Sequence, residues 1–263
     1  MIISLIVSTY NRPSALKLVL QSLECQTDQN FEIIVADDGS TQETRSLVDS
    51  FRIKLATEIK HVWHEDRGFR LSVIRNLAIS QSSGDYLIFL DGDCIAQPDF
   101  VARHRRLARI GKMVTGGRVL LGEGFTEELI SVSSWNYNEF RRRLLSLRLT
   151  GQCNKFLPIY LKFCDSILRN YRGFVWRRIK GCNLACWRDD AVRVGGFDEK
   201  ITGWGHEDAD FVFRLYDSGV KRKSGSWATE VLHLYHPVPD KRRADKNEKL
   251  VRDRISARIN RVG

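Results

Sequence analysis

Apolar and polar positions fall into blocks along the first 120 residues, and the blocks carry two periods. Ile2 to Ser8 reads IISLIVS, a short run rich in β-branched residues that predicts a buried strand. Asn11-Arg12-Pro13 interrupts it. Pro13 suits the first turn of a helix in which Leu16, Val19, Leu20 and Leu23 recur at helical spacing. Phe31 to Ala36 predicts a second strand, which runs out at Asp37-Asp38-Gly39-Ser40; Ser40 or Thr41 can cap a helix bearing Leu47, Val48 and Phe51. Ile59 to Trp63 predicts a third strand, and Leu71 to Ile79 a helix with Leu71, Ile74 and Ala78 on one stripe. Asp85 to Leu90 predicts a fourth strand ending at Asp91-Gly92-Asp93. A helix from about Asp99 and a strand from Met113 to Thr115 follow.

Strands alternating with helices predict an α/β fold: a Rossmann-like, mostly parallel central sheet flanked by helices, joined by right-handed crossovers. Ligands of such sheets gather beyond the carboxyl ends of the strands. Three predicted strands end in polar groups, Ser8-Thr9, Asp37-Asp38 and Asp91-x-Asp93, and the topology brings all three to one edge. Between about 120 and 180 strand signals thin out. Arg clusters and the aromatics Trp135, Tyr137, Phe140, Phe156, Tyr160, Phe163, Tyr171, Phe174 and Trp176 predict helices and loops inserted beside the core. Order resumes at Gly181-Cys182-Asn183-Leu184-Ala185, turns at Gly195-Gly196-Phe197-Asp198, and continues in a helix from Glu207 to Ser218 that buries Phe211, Phe213 and Leu215. The expected organisation is one domain over 1–263: a half at 1–118, a basic aromatic insertion at 119–180, a second half at 181–240 and a short basic tail at 241–263.

Charge sharpens this division. The 263 residues hold 42 Lys and Arg against 32 Asp and Glu, a net charge of +10. Three segments carry the excess: Phe100 to Arg118 (+6), Ser134 to Lys180 (+9) and Lys241 to Gly263 (+6), while the remainder sums to −11. An acidic body with basic patches argues against a nucleic-acid partner, which uniform basicity would have favoured. Two readings of the patches stay open: solvated surface, and contact with an anionic membrane or glycan. Phe140-Arg141-Arg142-Arg143-Leu144-Leu145 and Phe174-Val175-Trp176-Arg177-Arg178-Ile179 suit interfacial binding. No run of about 18 apolar residues occurs, and the start lacks a basic leader segment, so a cytoplasmic location is expected. In that compartment the six cysteines, at 25, 94, 153, 164, 182 and 186, are expected free and mostly buried.

Four clusters carry candidate chemistry. Asp91-Gly92-Asp93 can bracket Mg²⁺ or Mn²⁺, which accept carboxylate and phosphate oxygens, or serve only as a solvated turn. Asp37-Asp38-Gly39-Ser40 fits an Asp-Gly turn with a helix cap, and equally a carboxylate that accepts from a base N–H or a ribose hydroxyl. Gly203-Trp204-Gly205-His206-Glu207-Asp208 reads as a bent loop presenting an indole. Its two acids stand on the first helical turn, as a general base or as ordinary helix-start charge. His233 and His236 are single imidazoles that can be structural or complete a metal shell. GxGxxG, GxxxxGK[ST] and GxSxG are all absent, which weakens dinucleotide, P-loop and serine-hydrolase readings.

Taken together these residues resemble a GT-A glycosyltransferase of the large family 2. LIVSTYNRP, IIVADDGS, and RNLA followed by GDYLIFLDGD match its N-terminal pattern in order. KGCNLACWRDDAVRVGGFDEKITGWGHEDADFVFRL is similar to the acceptor-side module shared by chondroitin-polymerase-like bacterial enzymes and animal β-1,4-galactosyltransferases. The resemblance implies that Ser8 and Asp38 touch the nucleotide base, with Tyr10, Arg12 and Asp37 nearby, and that Arg75 approaches the nucleotide or its phosphates. It gives Asp91, Gly92 and Asp93 the DxD role, with Mn²⁺ or Mg²⁺ as cofactor. Trp204, Glu207 and His206 fall at the sugars, Asp208 at the base position, and His236, with His233 as near rival, at the distal metal ligand. The usual GWGGED reads GWGHED here. The implied reaction is inverting transfer from a nucleotide-sugar, UDP-linked by resemblance, to a glycan or lipid-linked acceptor in bacterial surface polysaccharide or lipopolysaccharide assembly. The alternatives are a non-catalytic sugar-nucleotide-binding protein, a nucleic-acid binder, and a sugar-1-phosphate nucleotidyltransferase, whose N-terminal Gly- and Arg-rich loop is absent.

Overall fold

A computed structural model describes residues 1–175, 179–237 and 241–262. Along the chain run β1 (Ile3–Thr9), α1 (Pro13–Glu24), β2 (Phe31–Asp37), α2 (Gln42–Lys54), β3 (Ile59–Trp63), α3 (Leu71–Gln81), β4 (Tyr86–Asp91), β5 (Cys94–Ile95), α4 (Phe100–Leu107), β6 (Lys112–Thr115) and β7 (Arg118–Leu120). Residues 119–180 supply α5 (Glu123–Val132), α6 (Tyr137–Leu149) and the short α7 (Leu157–Tyr160). After it come β8 (Asn183–Trp187), α8 (Arg188–Arg193), α9 (Glu207–Asp217), β9 (Lys221–Ser224), β10 (Val231–His233) and α10 (Ala244–Val262).

The main sheet has the order β3-β2-β1-β4-β8-β6-β9. Its first four strands are parallel, and β8 runs antiparallel to both neighbours. Strands β1, β2 and β4 are apolar without alternation because helices cover both faces. Leu5, Val7 and Ile88 pack with Leu16, Val19, Leu20 and Phe51 on one side. Ile6, Ile34, Leu87 and Phe89 pack with Ile74, Ala78, Phe211 and Leu215 on the other. Strands β2 and β4 run one residue past their apolar stretch and β1 two, because ladder hydrogen bonds do not depend on the side chain. Thr9 is thereby paired with Asp37, and Ser8 with Asp91. The three polar strand ends do share one edge.

A second sheet, β5-β10-β7, was not visible in the pattern; its strands have two or three residues. It sets His233 opposite Cys94. The basic tail also differs from the expectation of a short appendage. It is mostly a helix, α10, which packs on α9, with Val251 buried and Arg254 paired to Asp198 and Asp210. Part of the tail's charge is therefore spent on neighbouring acids.

In the Phe140–Leu145 stretch, Phe140 and Leu144 are buried with Phe125 and Trp135 and Leu145 is exposed; Leu149, Phe163, Ile167 and Leu168 further along are exposed as well. Phe174 packs on Phe213 and Tyr216, and Ile179 is buried, whereas 176–178 lie outside the described residues. All six cysteines are free thiols, Cys25 and Cys164 exposed and the other four buried. No helix among the described residues is long and apolar enough to cross a membrane.

At the opposite sheet edge Glu32 is buried. It accepts from Ser4 Oγ and from the Ser83 and Gly84 amides at 2.7 and 3.3 Å, and forms an ion pair with Lys60 Nζ at 2.7 Å. Burial alone would raise its pKa, but Lys60, Ser4 and Ser83 overrule it and bring it down to about 2. A depressed carboxyl contributes stability above its unfolded value and loses it as pH falls through the folded one. Glu32→Gln should therefore cost about 3 kcal/mol at pH 7 and remove the matching loss between pH 4.5 and 2. Urea midpoints at pH 7 and 3 check this; an unchanged acid slope would contradict it.

Candidate active site

Two cavities open at the polar strand ends and meet at Asp91, Trp204 and Glu207. The first, about 200 Å³, is walled by Ser8, Tyr10, Arg12, Asp38, Phe69, Asp93 and His236. The second, about 400 Å³, is walled by Arg118, Lys180, Gly181, His206 and Asp208. Nearly every residue singled out from the sequence borders one of them.

Gly92 makes the approach of β4 to β1 possible. Its amide donates to Ser8 O at 2.7 Å, and a Cβ there would stand 2.9 Å from that oxygen. Asp38 accepts from the Arg70 amide at 2.9 Å and lies 2.6 Å from His64 Nε2; burial raises its pKa against the pull of these two partners. Asp37 does not reach the cavity. It is fully buried, fixing the turn through the Ser40 amide at 2.8 Å and standing 2.9 Å from His61. Tyr10 donates to Asp66 at 2.8 Å.

Arg75 sits beneath the cavities and lines neither. Fully buried on α3, it donates to Ser8 Oγ at 3.1 Å and Asp91 Oδ1 at 2.9 Å, reaches Glu207 Oε1 at 3.5 Å, and covers the Phe197 ring at 5.1 Å. One cation thus ties β1, β4 and α9 together, and its partners Ser8, Asp91 and Glu207 themselves border the cavities.

Asp93 faces away from that knot. Its Oδ2 accepts from Arg12 at 2.9 Å and lies 3.5 Å from His236 Nε2, and its Oδ1 lies 3.8 Å from His233 Nε2 and 3.6 Å from Cys94 Sγ. Asp93, Cys94 and His233 form the one group of potential metal ligands found among the described residues; Asp91 stays outside it. Burial, then Arg118, lowers His233 to about 4, which keeps its imidazole neutral. His233, expected only as a rival, belongs to this group; His236, the first choice, stays outside it, although its Nε2 stands 3.5 Å from Asp93 Oδ2.

The loop before α9 departs from regular geometry. Gly203, Gly205 and His206 all have positive φ, at 75°, 107° and 71°. Histidine stands at a left-handed position natural to glycine, one of the few other residues that tolerate it. Its ring lies 3.8 Å from Glu248 of α10, and Asn247 holds the carbonyls of Thr202 and Gly205 at 3.2 and 3.1 Å. Asp208 Oδ2 accepts from the Gly181 amide at 2.8 Å. Burial first, then Asp208, push Glu207 up to about 7 against the pull of Arg75. A raised carboxyl contributes stability at low pH and loses it as pH rises through the folded value. Glu207→Gln should match the parent at pH 4 and exceed it by up to about 3 kcal/mol at pH 8. Denaturation at both values tests this; a difference that does not grow with pH would contradict it.

His61, His64, Cys94, Arg118 and Lys180 were not singled out from the sequence. Proximity to the strand ends was an available signal for the two β3 histidines and for Cys94, which follows Asp93 directly. Arg118 and Lys180 are brought in by tertiary structure alone.

The Glycosyl transferase family 2 model matches residues 4–165, and a model described as the N-terminal domain of galactosyltransferase matches residues 169–237. Validoxylamine A glucosyltransferase of Streptomyces hygroscopicus subsp. jinggangensis is 31% identical over 242 residues, 88% of this chain and 56% of that protein. Chondroitin synthase of Escherichia coli is 29% identical over 246 residues, 90% of this chain and 35% of that protein. The chain spans about half, or less, of the length of these relatives. S. aureus TarS shares the fold at a TM-score of 0.61 and 18% identity, covering 90% of this chain and 37% of that one. The mannosyltransferase PcManGT of Pyrobaculum calidifontis, solved with GDP-Man and Mn²⁺, gives 0.57 and 18%, covering 88% of this chain and 56% of that one. With more than half of its length matched by the family model, and with a mostly parallel sheet shared with GT-A transferases, the chain belongs to glycosyltransferase family 2.

Proposed function

We propose that this chain transfers a sugar from an α-linked nucleotide-sugar, UDP-linked in the first instance, to a hydroxyl of a glycan or lipid-linked glycan, inverting the anomeric centre. The setting proposed is surface polysaccharide or lipopolysaccharide assembly; relatives named chondroitin and hyaluronan synthase support it. The observation that carries the reading is the junction of the two cavities. Ser8, Asp38 and Asp93 border one, Asp208 borders the other, and Trp204 and Glu207 border both.

In the first cavity Asp38 and Ser8 offer polar groups to a base and ribose. Asp93 and His233, with Cys94 in the same group and His236 beside it, would hold a divalent cation: Asp93 Oδ1 lies 3.8 Å from His233 Nε2, and Asp93 Oδ2 lies 3.5 Å from His236 Nε2. Imidazole donors favour Mn²⁺ over Mg²⁺, which prefers an all-oxygen shell. When bound there, a cation would supply positive charge against that developing on the departing diphosphate. Asp208, aimed by the Gly181 amide, accepts the proton of the acceptor hydroxyl as its oxygen bonds to the anomeric carbon and the bond to the diphosphate oxygen breaks. Trp204, 38% exposed, presents an indole face to the sugars. The anomeric proton coupling of the product, followed by NMR from an α-linked donor, tests the displacement: a β-linked product is expected, and an α-linked one would contradict a single inverting step.

A further inference from the structure

Beyond the two cavities lies a third, of about 560 Å³, and its lining differs in kind. Its walls come from the loop before α3, the loop before α9 and the approach to α10. The Gly203 amide donates to Phe69 O at 3.2 Å and joins the first two. Arg243 joins the third by donating to Thr202 Oγ1 and lying against Gly203, where a Cβ would stand 3.0 Å from its Cδ. Arg67, Arg70, Arg242 and Arg243 line the cavity, with no carboxylate among the described lining residues. Arg67 is partly answered at the rim by Glu65, 2.8 Å away. Two aromatic side chains, Phe69 at 43% and Trp204 at 38% exposure, border both this cavity and the donor cavity. Lys241 adds a cation 5.6 Å from the Trp204 ring centre.

We propose that this cavity binds an acidic sugar of the acceptor, a uronate or sugar phosphate, beside the residue that is glycosylated. The inference rests on the glycosyltransferase reading and names its acceptor class. Exposed arginines alone would be solvated surface. Here they converge on one concavity with two exposed aromatic faces, next to the proposed reaction centre. Guanidinium forks match carboxylate and phosphate oxygens in pairs. Flat aromatic faces suit the C–H face of a pyranose. The lining contains no aliphatic side chain, which argues against a polyprenyl diphosphate as the occupant.

The test uses the full chain with UDP and Mn²⁺, titrated by tryptophan fluorescence with three probes. These are a hexasaccharide of alternating glucuronate and N-acetylhexosamine, its carboxyl-reduced neutral counterpart, and citronellyl diphosphate. The acidic oligosaccharide should bind about tenfold or more tightly than the neutral one. The double variant Arg242→Gln/Arg243→Gln, and separately Arg70→Gln, should erase that preference while neutral-probe and UDP affinities hold. Equal affinities for acidic and neutral probes, a preference untouched by both variants, or tighter binding of citronellyl diphosphate would each overturn the inference. Failure of the parent chain to bind UDP would instead remove the glycosyltransferase reading beneath it.

Discussion

Asp208→Asn is expected to lower sugar transfer by about 10²–10⁴-fold, the contribution typical of a general base, while UDP affinity in Mn²⁺ stays the same. Asn keeps the size of the side chain and can still accept from the Gly181 amide, which now holds Asp208 Oδ2 at 2.8 Å. What it cannot do is take a proton. Donor affinity should be spared because Asp208 borders the second cavity and not the first. Single-turnover transfer and calorimetry with UDP separate the two effects. Normal turnover would move the base role elsewhere. Glu207 would be next in line, since burial already lifts it to about 7 and it borders both cavities.

Asp93→Asn should remove cation-dependent nucleotide binding, lowering UDP affinity in Mn²⁺ by about 10²-fold or more and leaving the weak affinity in EDTA unchanged. The carboxylate lies 3.8 Å from His233 Nε2 and 3.5 Å from His236 Nε2, so its charge would anchor the proposed ion. The amide is isosteric and still accepts from Arg12, which limits structural damage. Paramagnetic resonance of bound Mn²⁺ gives a readout independent of turnover. Full retention of the Mn²⁺ signal and of UDP affinity would reject this ligand assignment.

Much of the site was legible because its residues terminate strands. Apolar runs that stop at Ser8-Thr9, Asp37-Asp38 and Asp91-Gly92-Asp93 locate the edge without knowledge of the sheet order. What stayed hidden depended on partners distant in sequence. Asp37 and Asp38 look equivalent as text, yet Asp37 is withdrawn into the turn by Ser40 and His61, and only Asp38 borders the cavity. Arg75 reads as a cation near phosphates. Its burial and its bonds to Ser8, Asp91 and Glu207 are set by three other segments, which the sequence around it does not reveal. His233 needed the three-residue strand β10, too short for any periodicity to reveal, to bring it beside Asp93. The tail read as loose basic charge because α10 is mostly polar; its ordering comes from Val251, Asn247 and Arg254 meeting α9 and the loop before it.

The overall charge also changes meaning. Of the three basic segments, the last divides its cations between two tasks. Arg254 and Arg258 answer the acids of α9 and its surroundings, whereas Arg242 and Arg243 line the third cavity. A patch that looked uniform in sequence thus contains cations paired to neighbouring acids and cations exposed at the proposed acceptor subsite.

The central claim, cation-dependent transfer from a nucleotide-sugar, is tested most directly by incubating the chain with UDP-, GDP- and dTDP-linked sugars in Mn²⁺ and in EDTA and measuring released nucleoside diphosphate. Release from at least one UDP-sugar in Mn²⁺, abolished by EDTA and by Asp93→Asn, is the expected result. No release from any donor, or release equal in EDTA, would contradict it.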